Sequence, residues 1–333
     1  MEEQDFGTRD KRGFWKPNEL IGYGPLIAFP IRIFKILSWL LLYPGFLLPW
    51  GIFFIFLASI LWLYLTPSME TLKNFDLNWI LYLFFRNLIL ISVLWGILHF
   101  RLYYKQVQKN KFKYNGKFQD KPNKNFLFNK QIFDNIFWSV CSGVTIWTAY
   151  EVFVLWAYAN NIFPTISLNE NPIYFILLTV LLVNMWHEIH FFFTHWLLHW
   201  PPLYKYVHAL HHKNTNPGPW SGISMHPVEH IIYFSGVLIF FIVPAHPFIA
   251  IFLLSKIAIG PGLSHSGFHK LFIGKEMVNT KHYLHYLHHR YFECNYGAGL
   301  DGSIIPLDKW FGTLHDGSEE AEQRMMNKLR ESD

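Results

Sequence analysis

The sequence predicts an all-α integral membrane protein, a helical bundle of about four transmembrane helices with a cytosolic helical cap that carries most of the histidines. Three observations lead to this fold class. Of the 333 residues, 52% are hydrophobic and only 15% are charged, which is more apolar than a soluble domain. Several apolar stretches are long enough to cross a bilayer. All but two of the 18 histidines, His99 and His315, lie between residues 187 and 289.

The apolar stretches define the predicted bundle. A helix needs roughly 20 apolar residues to cross the hydrocarbon layer, and four stretches have that length: 45–65, 78–100, 134–157 and 172–194. Residues 25–43 place Arg32 and Lys35 among apolar side chains, which favours a helix lying at the membrane interface. Segment 231–255 is also apolar but contains Pro244 and Pro247. We expect it to form a re-entrant or interfacial hairpin.

The distribution of basic residues predicts the orientation. Lysines and Arg101 crowd the connector 101–131, whereas the connector 158–171 contains a single charged residue, Glu170. The positive-inside rule then places the basic connector in the cytoplasm. Counting spans from there, the N-terminus and the chain after residue 194 are also expected to be cytoplasmic, with the membrane being a bacterial inner membrane or an endoplasmic reticulum.

Four segments follow from these patterns. Residues 1–44 are expected to form a cytosolic N-terminus with the interfacial helix, and residues 45–194 the transmembrane stem with its basic loop 101–131. Residues 195–316 are expected to form the histidine-bearing cap, including the hairpin 231–255. Residues 317–333 form a charged C-terminal tail.

Ten histidines fall into four closely spaced groups. Residues three or four apart share one face of a helix, so each group can aim two or three imidazoles at one point. Four such segments could surround a common site. The groups read HWLLH, HALHH, HSGFH and HYLHH, and their members are His195, His199, His208, His211, His212, His265, His269, His285, His288 and His289.

The donor set predicts the kind of metal site. Neutral imidazole suits iron, zinc, copper or nickel, and ten nitrogen ligands are more than one ion can use. Two ions in a shared site are therefore expected. Burying ten imidazoles without metal would require as many sets of hydrogen-bond partners. His187 lies about 12 Å from His195 along a continuous helix, so a contact with substrate or with a supporting residue is expected there.

These motifs carry a resemblance to a known family. Together with MHPVEH at 225–230, NYG at 295–297 and PLDKWFGTLHD at 306–316, the four histidine groups resemble the fatty acid hydroxylase / sterol desaturase superfamily of integral-membrane di-iron oxygenases. The resemblance covers about residues 180–316. It implies a transmembrane helical stem beneath a cytosolic cap that holds two metal ions.

The resemblance implies roles for individual residues. All ten grouped histidines would be metal ligands, and they would also be the catalytic residues. His226 and Glu229 match the H-P-x-E element of the family and would support the ligands or the fold. Asn295 falls in the pattern that follows the last histidine group. His282 starts a second H-x-x-H spacing, which leaves open whether it or His285 is the ligand.

The predicted function is an O2-dependent oxidoreductase with two Fe2+ ions that hydroxylates a C–H bond of a lipid, which could be a fatty acyl, sterol or polar lipid. A sterol-type C-5 desaturase or methyl oxidase is the alternative within this class. From another class, a non-redox zinc-dependent membrane hydrolase would use Glu229 as a general base. A metal transporter is disfavoured because the grouped histidines lie past the spans.

The sequence also predicts the partners. It contains no Gly-rich dinucleotide motif after a strand and no cysteine cluster for iron and sulfur, so electrons are expected from an external donor, a small cytochrome or a ferredoxin with its reductase. The basic connector 101–131 is a possible docking face for it, although its charge is also explained by topology and anionic lipid. The net charge of +5 is not arranged as a nucleic-acid patch. The oligomeric state is left open.

Overall fold

Helices dominate the computed structural model, which describes residues 3–18, 22–119, 121–297 and 303–332. This confirms the predicted helical class. Within the described residues, five helices are long and apolar enough to cross a membrane, against the four or so predicted. Their bounds are Leu47–Tyr64, Leu77–Tyr104, Gln131–Ala159, Pro172–Leu198 and Pro247–Ser264.

The fifth of these helices lies where the sequence predicted a re-entrant or interfacial hairpin. Helix Pro227–Phe241 precedes it, and the non-helical residues 242–246 separate the two. Pro247 occupies the first turn of the second helix, where its missing N–H is tolerated. The proline therefore begins a helix here, and this second helix extends nine residues beyond the predicted end at residue 255.

Contacts at both ends show how this helical hairpin is placed. Glu229 near its beginning contacts His208, and His265 just after its end contacts His285. At the turn, the carbonyl of Pro244 accepts a hydrogen bond from the hydroxyl of Tyr174 at the opposite end of the bundle. The hairpin thus runs through the bundle and back. It leaves and returns at the same end, which we call the histidine end.

The second helix of the hairpin is the centre of the bundle. Nearly every residue from Pro247 to Ile259 is buried, and the helix packs against Leu47–Tyr64 and Thr145–Ala159. Apart from Lys256 this helix is apolar around its circumference, which is stable in such a position because its apolar faces meet other apolar surfaces. The large core that results contains Trp95, Trp147 and Phe240.

A charged pair is buried in the same bundle. Nη2 of Arg86 lies 2.5 Å from Oε1 of Glu151, while Nδ2 of Asn87 donates to Oε2 of Glu151 at 2.9 Å. Nη1 of Arg86 donates to the carbonyl of Leu65 at 3.0 Å. Both charges are thus paired and hydrogen-bonded, as burial requires.

Two short β-hairpins add to the helical fold, and the sequence did not predict them. Gly7–Arg9 pairs antiparallel with Trp15–Pro17, and Lys270–Ile273 pairs with Glu276–Asn279. The second hairpin has a two-residue turn in which Gly274 adopts a φ of +64°, a conformation that glycine tolerates without strain. Both hairpins lie at the histidine end.

The N-terminal residues and the connector 101–131 pack over the histidine end. Trp15 is buried against Phe112 and Tyr114 of the connector. Arg101 donates to the carbonyl of Phe272 at 2.6 Å. The remaining helices are short ones, with bounds Glu3–Asp5, Pro25–Ile27, Ile33–Leu41, Thr71–Lys73, Leu127–Asn129, 201–212, Pro219–Ser221, Tyr283–Tyr291, Leu307–Trp310 and Glu319–Ser332.

Candidate metal centre

Four segments bring the grouped histidines to one place. Helix Pro172–Leu198 ends at the histidine end with His195, and His199 follows one turn later. The helical stretch 201–212 carries the second group, and helix Tyr283–Tyr291 carries the last. His265 comes directly after Pro247–Ser264.

Nine of the ten predicted ligands gather into two sets. Within each set, one nitrogen from every ring lies within 4.8 Å of the others. The sets adjoin, since the ring centroids of His212 and His289 are 4.9 Å apart. The first set consists of His195, His199, His208, His212 and His288, and the second of His211, His265, His285 and His289.

The inward-facing atoms are mostly Nε2. In the first set, the Nε2 of His212 lies 3.1 Å from that of His199, 2.9 Å from that of His208 and 3.0 Å from that of His288. In the second set, the Nε2 atoms of His265 and His285 are 2.7 Å apart. One proton on His212 can serve a single one of its three contacts. The other two contacts join nitrogen atoms with no proton between them, and these atoms need a different partner.

The contact between His195 and His208 shows this directly. Nδ1 of His195 lies 2.8 Å from the carbonyl oxygen of Tyr296, which can only accept, so this nitrogen carries the proton. Nδ1 of His208 lies 2.8 Å from Oε1 of Glu229, and it donates to that oxygen when the carboxyl group is ionised. Both Nε2 atoms are then bare lone pairs, and they face each other at 3.1 Å. A shared cation resolves that repulsion.

Two further rings have their tautomers set from outside. Nδ1 of His288 donates to the carbonyl of Cys294 at 2.6 Å. The hydroxyl of Ser221 donates to the carbonyl of Gly218, so its oxygen accepts the proton on Nδ1 of His265 at 2.9 Å. In both rings, Nε2 is left as a free donor atom for a metal.

These distances fit metal coordination. Two imidazole nitrogens that bind one ion at right angles, each about 2.1 Å from it, lie about 3.0 Å apart. The nitrogen separations of 2.9–3.1 Å in the first set match this value. All of the ligand candidates are neutral nitrogens, a set that suits iron, zinc, copper or nickel.

The protonation state of the rings supports the same use. Burial, reinforced by the neighbouring His195, lowers the pKa of His199 to about 2 and that of His211 to about 3. Burial also holds the pKa of His212 and of His289 well below the ordinary value of 6.5. The rings are therefore neutral at physiological pH, which is the form that binds metal.

A second layer of contacts fixes the peptide groups around the site. The carboxylate of Asp308 accepts from the backbone N–H groups of Tyr296 and Gly297 at 2.7 and 2.9 Å. The carbonyl of Tyr296 is the acceptor for His195. Asp308 thus positions His195 through one peptide unit. Asn295 adjoins it and donates to the carbonyls of Leu284 and His315.

The tenth predicted ligand, His269, lies in neither set. Its ring contacts Trp15 at 5.0 Å between centroids, and its Nδ1 lies 3.3 Å from the hydroxyl of Tyr114. His282 also lies outside both sets, at the start of helix Tyr283–Tyr291, whereas His285 lies within the second set. Of these two residues, His285 is the one that faces the other rings.

The remaining candidates occupy supporting positions. His226 caps helix Pro227–Phe234, with its Nδ1 accepting from the backbone N–H of Val228 at 3.2 Å. His187 lines a cavity that also reaches His195. Glu229, placed in the family element by sequence, holds His208 as described above.

An apolar cavity opens beneath the two sets. Its walls include Phe54, Phe191 and Phe252 from three of the five long helices. His195, His208, His211, His265 and His285 line its end at the histidine side. The cavity places any apolar molecule inside it next to both sets of nitrogens.

Sequence reasoning missed several residues of the site. Ser221 and the carbonyls of Cys294 and Tyr296 are invisible in a motif because backbone atoms and a common serine carry no distinctive pattern. Lys256, a further cavity residue, could have been found. It is a charge within an apolar segment, which is rare in membrane spans, but the predicted hairpin ended one residue before it.

Comparison with known proteins covers the same part of the chain. Residues 180–313 match the fatty acid hydroxylase family model. A Delta(7)-sterol 5(6)-desaturase of Gibberella zeae is 32% identical over 36% of this chain and 38% of its own length. A fatty acid hydroxylase of Mycosarcoma maydis is 30% identical over 43% and 38%, and a Delta(7)-sterol-C5(6)-desaturase of Nicotiana tabacum is 34% identical over 37% and 44%.

The matched segments thus span about two fifths of the curated relatives, and no solved structure matches the chain. The matched part nevertheless contains every histidine of the two sets, and the apolar helices indicate association with a membrane. Over residues 180–313 the chain is therefore similar to the fatty acid hydroxylase family, and its relatives there include sterol desaturases.

Proposed function

We propose that this protein is a membrane-bound oxidoreductase that uses two iron ions and O2 to hydroxylate a C–H bond of a lipid. The observation that carries the proposal is the 3.1 Å approach of the Nε2 atoms of His195 and His208, both unprotonated when Glu229 is ionised, at the end of an apolar cavity. The relatives, which are sterol desaturases and a fatty acid hydroxylase, favour oxidation of a lipid.

Different residues of the chain would have different roles in this reaction. The first set of five histidines would hold one ion and the second set of four the other. Bound iron would supply the reduction of dioxygen to an oxidant strong enough to attack an unactivated C–H bond. Glu229, Ser221 and the carbonyl of Cys294 keep ring protons on the outer nitrogens. The apolar walls exclude water and bring the lipid to the ligands.

The electrons would come from an external donor, a small cytochrome or a ferredoxin with its reductase. The exposed lysines of the connector 101–131 offer a positive face near the histidine end for an acidic donor. By the positive-inside rule, that end lies on the cytoplasmic side. The helical hairpin supports this, since it returns the chain to the end from which it left.

Comparative mass spectrometry of lipids tests the proposal. The host expresses either the wild-type chain or a His288→Ala, His289→Ala double variant, each with an added electron donor. A lipid class that gains one oxygen only with the wild type is the expected result. Loss of two hydrogens instead would favour the sterol-type desaturase alternative, and activity without O2 would favour the zinc hydrolase. No difference between two folded proteins would contradict lipid oxidation.

A further inference from the structure

The cavity beneath the metal centre has a polar wall deep in the bundle. Helix Pro172–Leu198 contributes Asn184 and His187 to it, and helix Pro247–Ser264 contributes Lys256. At 1.5 Å per residue, Asn184 lies about 16 Å along its helix from His195, and Lys256 lies about 13 Å from His265. The polar wall is therefore well removed from the predicted ligands.

Lys256 lies near the middle of the helix Pro247–Ser264, with nine residues before it and eight after it. The turn before this helix reaches the opposite end of the bundle, while His265 after it reaches the metal centre. Lys256 thus lies near the mid-depth of the helical bundle. A charge at this depth is costly and usually serves a function.

The ammonium group of Lys256 has hydrogen-bonding capacity to spare. It has three N–H donors, and among the described residues its one hydrogen-bond acceptor is Oδ1 of Asn184. The amide nitrogen of Asn184 is already used, since it donates to the carbonyls of Thr179 and Val180. Asn184 is thereby oriented with its oxygen toward the lysine.

The nearby carboxylate of Glu188 does not use this capacity. Its two oxygens accept from the backbone N–H groups of Ile304 and Ile305 at 3.0 and 2.9 Å. It attracts Lys256 electrostatically but makes no ion pair with it. Glu188 therefore makes the buried ammonium tolerable while leaving donors available on the cavity side.

We propose that Lys256 binds the polar end of the lipid substrate, an oxygen atom of a carboxylate or a hydroxyl group that accepts a hydrogen bond from the ammonium. Phe54, Phe191 and Phe252 would contact the apolar part between this group and the metal centre. This inference extends the proposed function. It rests on that function only in the statement that the other end of the lipid is oxidised at the metal centre.

The position of the polar end has a consequence for the carbon that is oxidised. Along the helix axes the polar wall and the predicted ligands are about 13–16 Å apart, so a lipid held by its oxygen at Lys256 would present to the metal centre a carbon many bonds away from that oxygen. The substrate would be oxidised far from its polar group. A ring carbon close to a hydroxyl, as in oxidation beside the polar end of a sterol, does not meet this distance.

Binding of three probes of equal chain length tests the proposal. Radiolabelled hexadecanoic acid, hexadecan-1-ol and hexadecane are each mixed with the purified, metal-loaded protein in detergent micelles, and the retained label is measured. The variants are Lys256→Met, which removes the charge at similar volume, and Lys256→Arg, which keeps it. Lys309→Met, at an exposed position, is the matched control.

The expected result is that wild type retains at least one oxygen-ended probe more strongly than hexadecane, and that Lys256→Met weakens its binding about tenfold or more. Hexadecane binding and metal content should not change, and Lys256→Arg should restore the preference. A loss confined to the acid identifies a carboxylate, and a loss for both probes shows that a hydroxyl suffices.

Two results would overturn the proposal: a wild type without preference for oxygen-ended probes, or a Lys256→Met variant that binds all three probes like wild type. Since the assay measures binding and requires no turnover, it is independent of the lipid oxidation experiment. If no lipid oxidation is found but Lys256→Met still weakens probe binding, the binding site remains supported. If lipid oxidation is found but Lys256→Met binds all probes like wild type, only the binding site is contradicted.

Discussion

Two of the polar clusters buried in the described part of the protein differ in whether their donors and acceptors are all paired within the protein. In the bundle, Arg86 and Glu151 pair directly, and Asn87 and the carbonyl of Leu65 satisfy the remaining groups. At the histidine end, outer partners take the ring protons and leave bare nitrogens facing one another. The first cluster is complete by itself, whereas the second is complete only with a cation.

The difference separates structure from function more clearly than burial does. Both clusters are almost fully buried, and both consist of groups that are costly to remove from water. A cluster whose donors and acceptors match in number stabilises the fold. A cluster with an excess of acceptors aimed at one point is a site for a ligand that brings positive charge.

The largest expected effect is on metal content when a ligand of the first set is removed. His288→Ala should lower bound iron by about one ion per chain and reduce lipid oxidation by more than about 100-fold, because the ring faces His212 and is held by Cys294. Elemental analysis of the purified protein measures the metal. His246→Ala, at the far end of the bundle, is the control and should retain both ions. Full metal content in His288→Ala would contradict the assignment.

Much of the arrangement of the histidines could be predicted from the sequence. The spacing HWLLH, HALHH and HYLHH specifies which rings share a helix face, and their composition specifies the class of metal. The same reasoning included His269, because HSGFH has helical spacing. The structure has a turn and the start of a strand there, with Gly267 at a φ of +81°, so the two histidines point to different places.

The outer partners could not be predicted, because they depend on tertiary contacts. His195 meets the carbonyl of Tyr296 across 101 residues, and His265 meets Ser221 across 44. A sequence pattern carries no record of which backbone oxygen will face a ring. Arg86 and Glu151 could be recognised as unusual in predicted spans, but their pairing became visible only in the packed bundle.

The next largest effect is on stability in acid. Burial lowers the pKa of His211 and of His282 to about 3 in the folded protein, against 6.5 for an unburied ring. Between those values the unfolded chain binds more protons, so stability should fall as the pH drops from about 6.5 toward 3. Each such ring contributes a slope of about 1.4 kcal/mol per pH unit. Thermal unfolding of metal-free protein across this range measures the slope, and a flat profile would contradict the buried, neutral state.

In the cluster of Arg86 and Glu151, removing one partner should lower the stability more than removing both. Arg86→Met leaves Glu151 buried without its cation and should cost about 3–5 kcal/mol of stability. The double variant Arg86→Met, Glu151→Leu should recover most of that loss, since apolar residues replace the pair. Chemical unfolding in detergent measures both. Metal content should be unchanged in the double variant, and a loss of metal there would mean that the two clusters are coupled.

A smaller effect is expected at the outer layer of the metal centre. Glu229→Gln keeps an oxygen acceptor near His208 but removes the charge, so metal affinity should fall about 10- to 100-fold. Titration with a chelator measures the affinity. Glu170→Gln, at an exposed position in the connector 158–171, is the matched control and should bind metal like wild type. Equal affinities in both variants would mean that the carboxylate plays no part in fixing the His208 tautomer.

The smallest effect is expected for His226, a histidine within the matched family region that belongs to neither set. Its Nδ1 accepts from the N–H of Val228 at the start of helix Pro227–Phe234, which is the hydrogen bond of a helix cap. His226→Ala should therefore cost about 1 kcal/mol of stability and leave metal content unchanged. His226→Asn, which can also cap the helix, should recover the stability. Loss of metal in both variants would show that a ring whose hydrogen bond is made within its own helix is still needed at the metal centre. Hydrogen-bond pairing would then not distinguish structural histidines from those that bind metal.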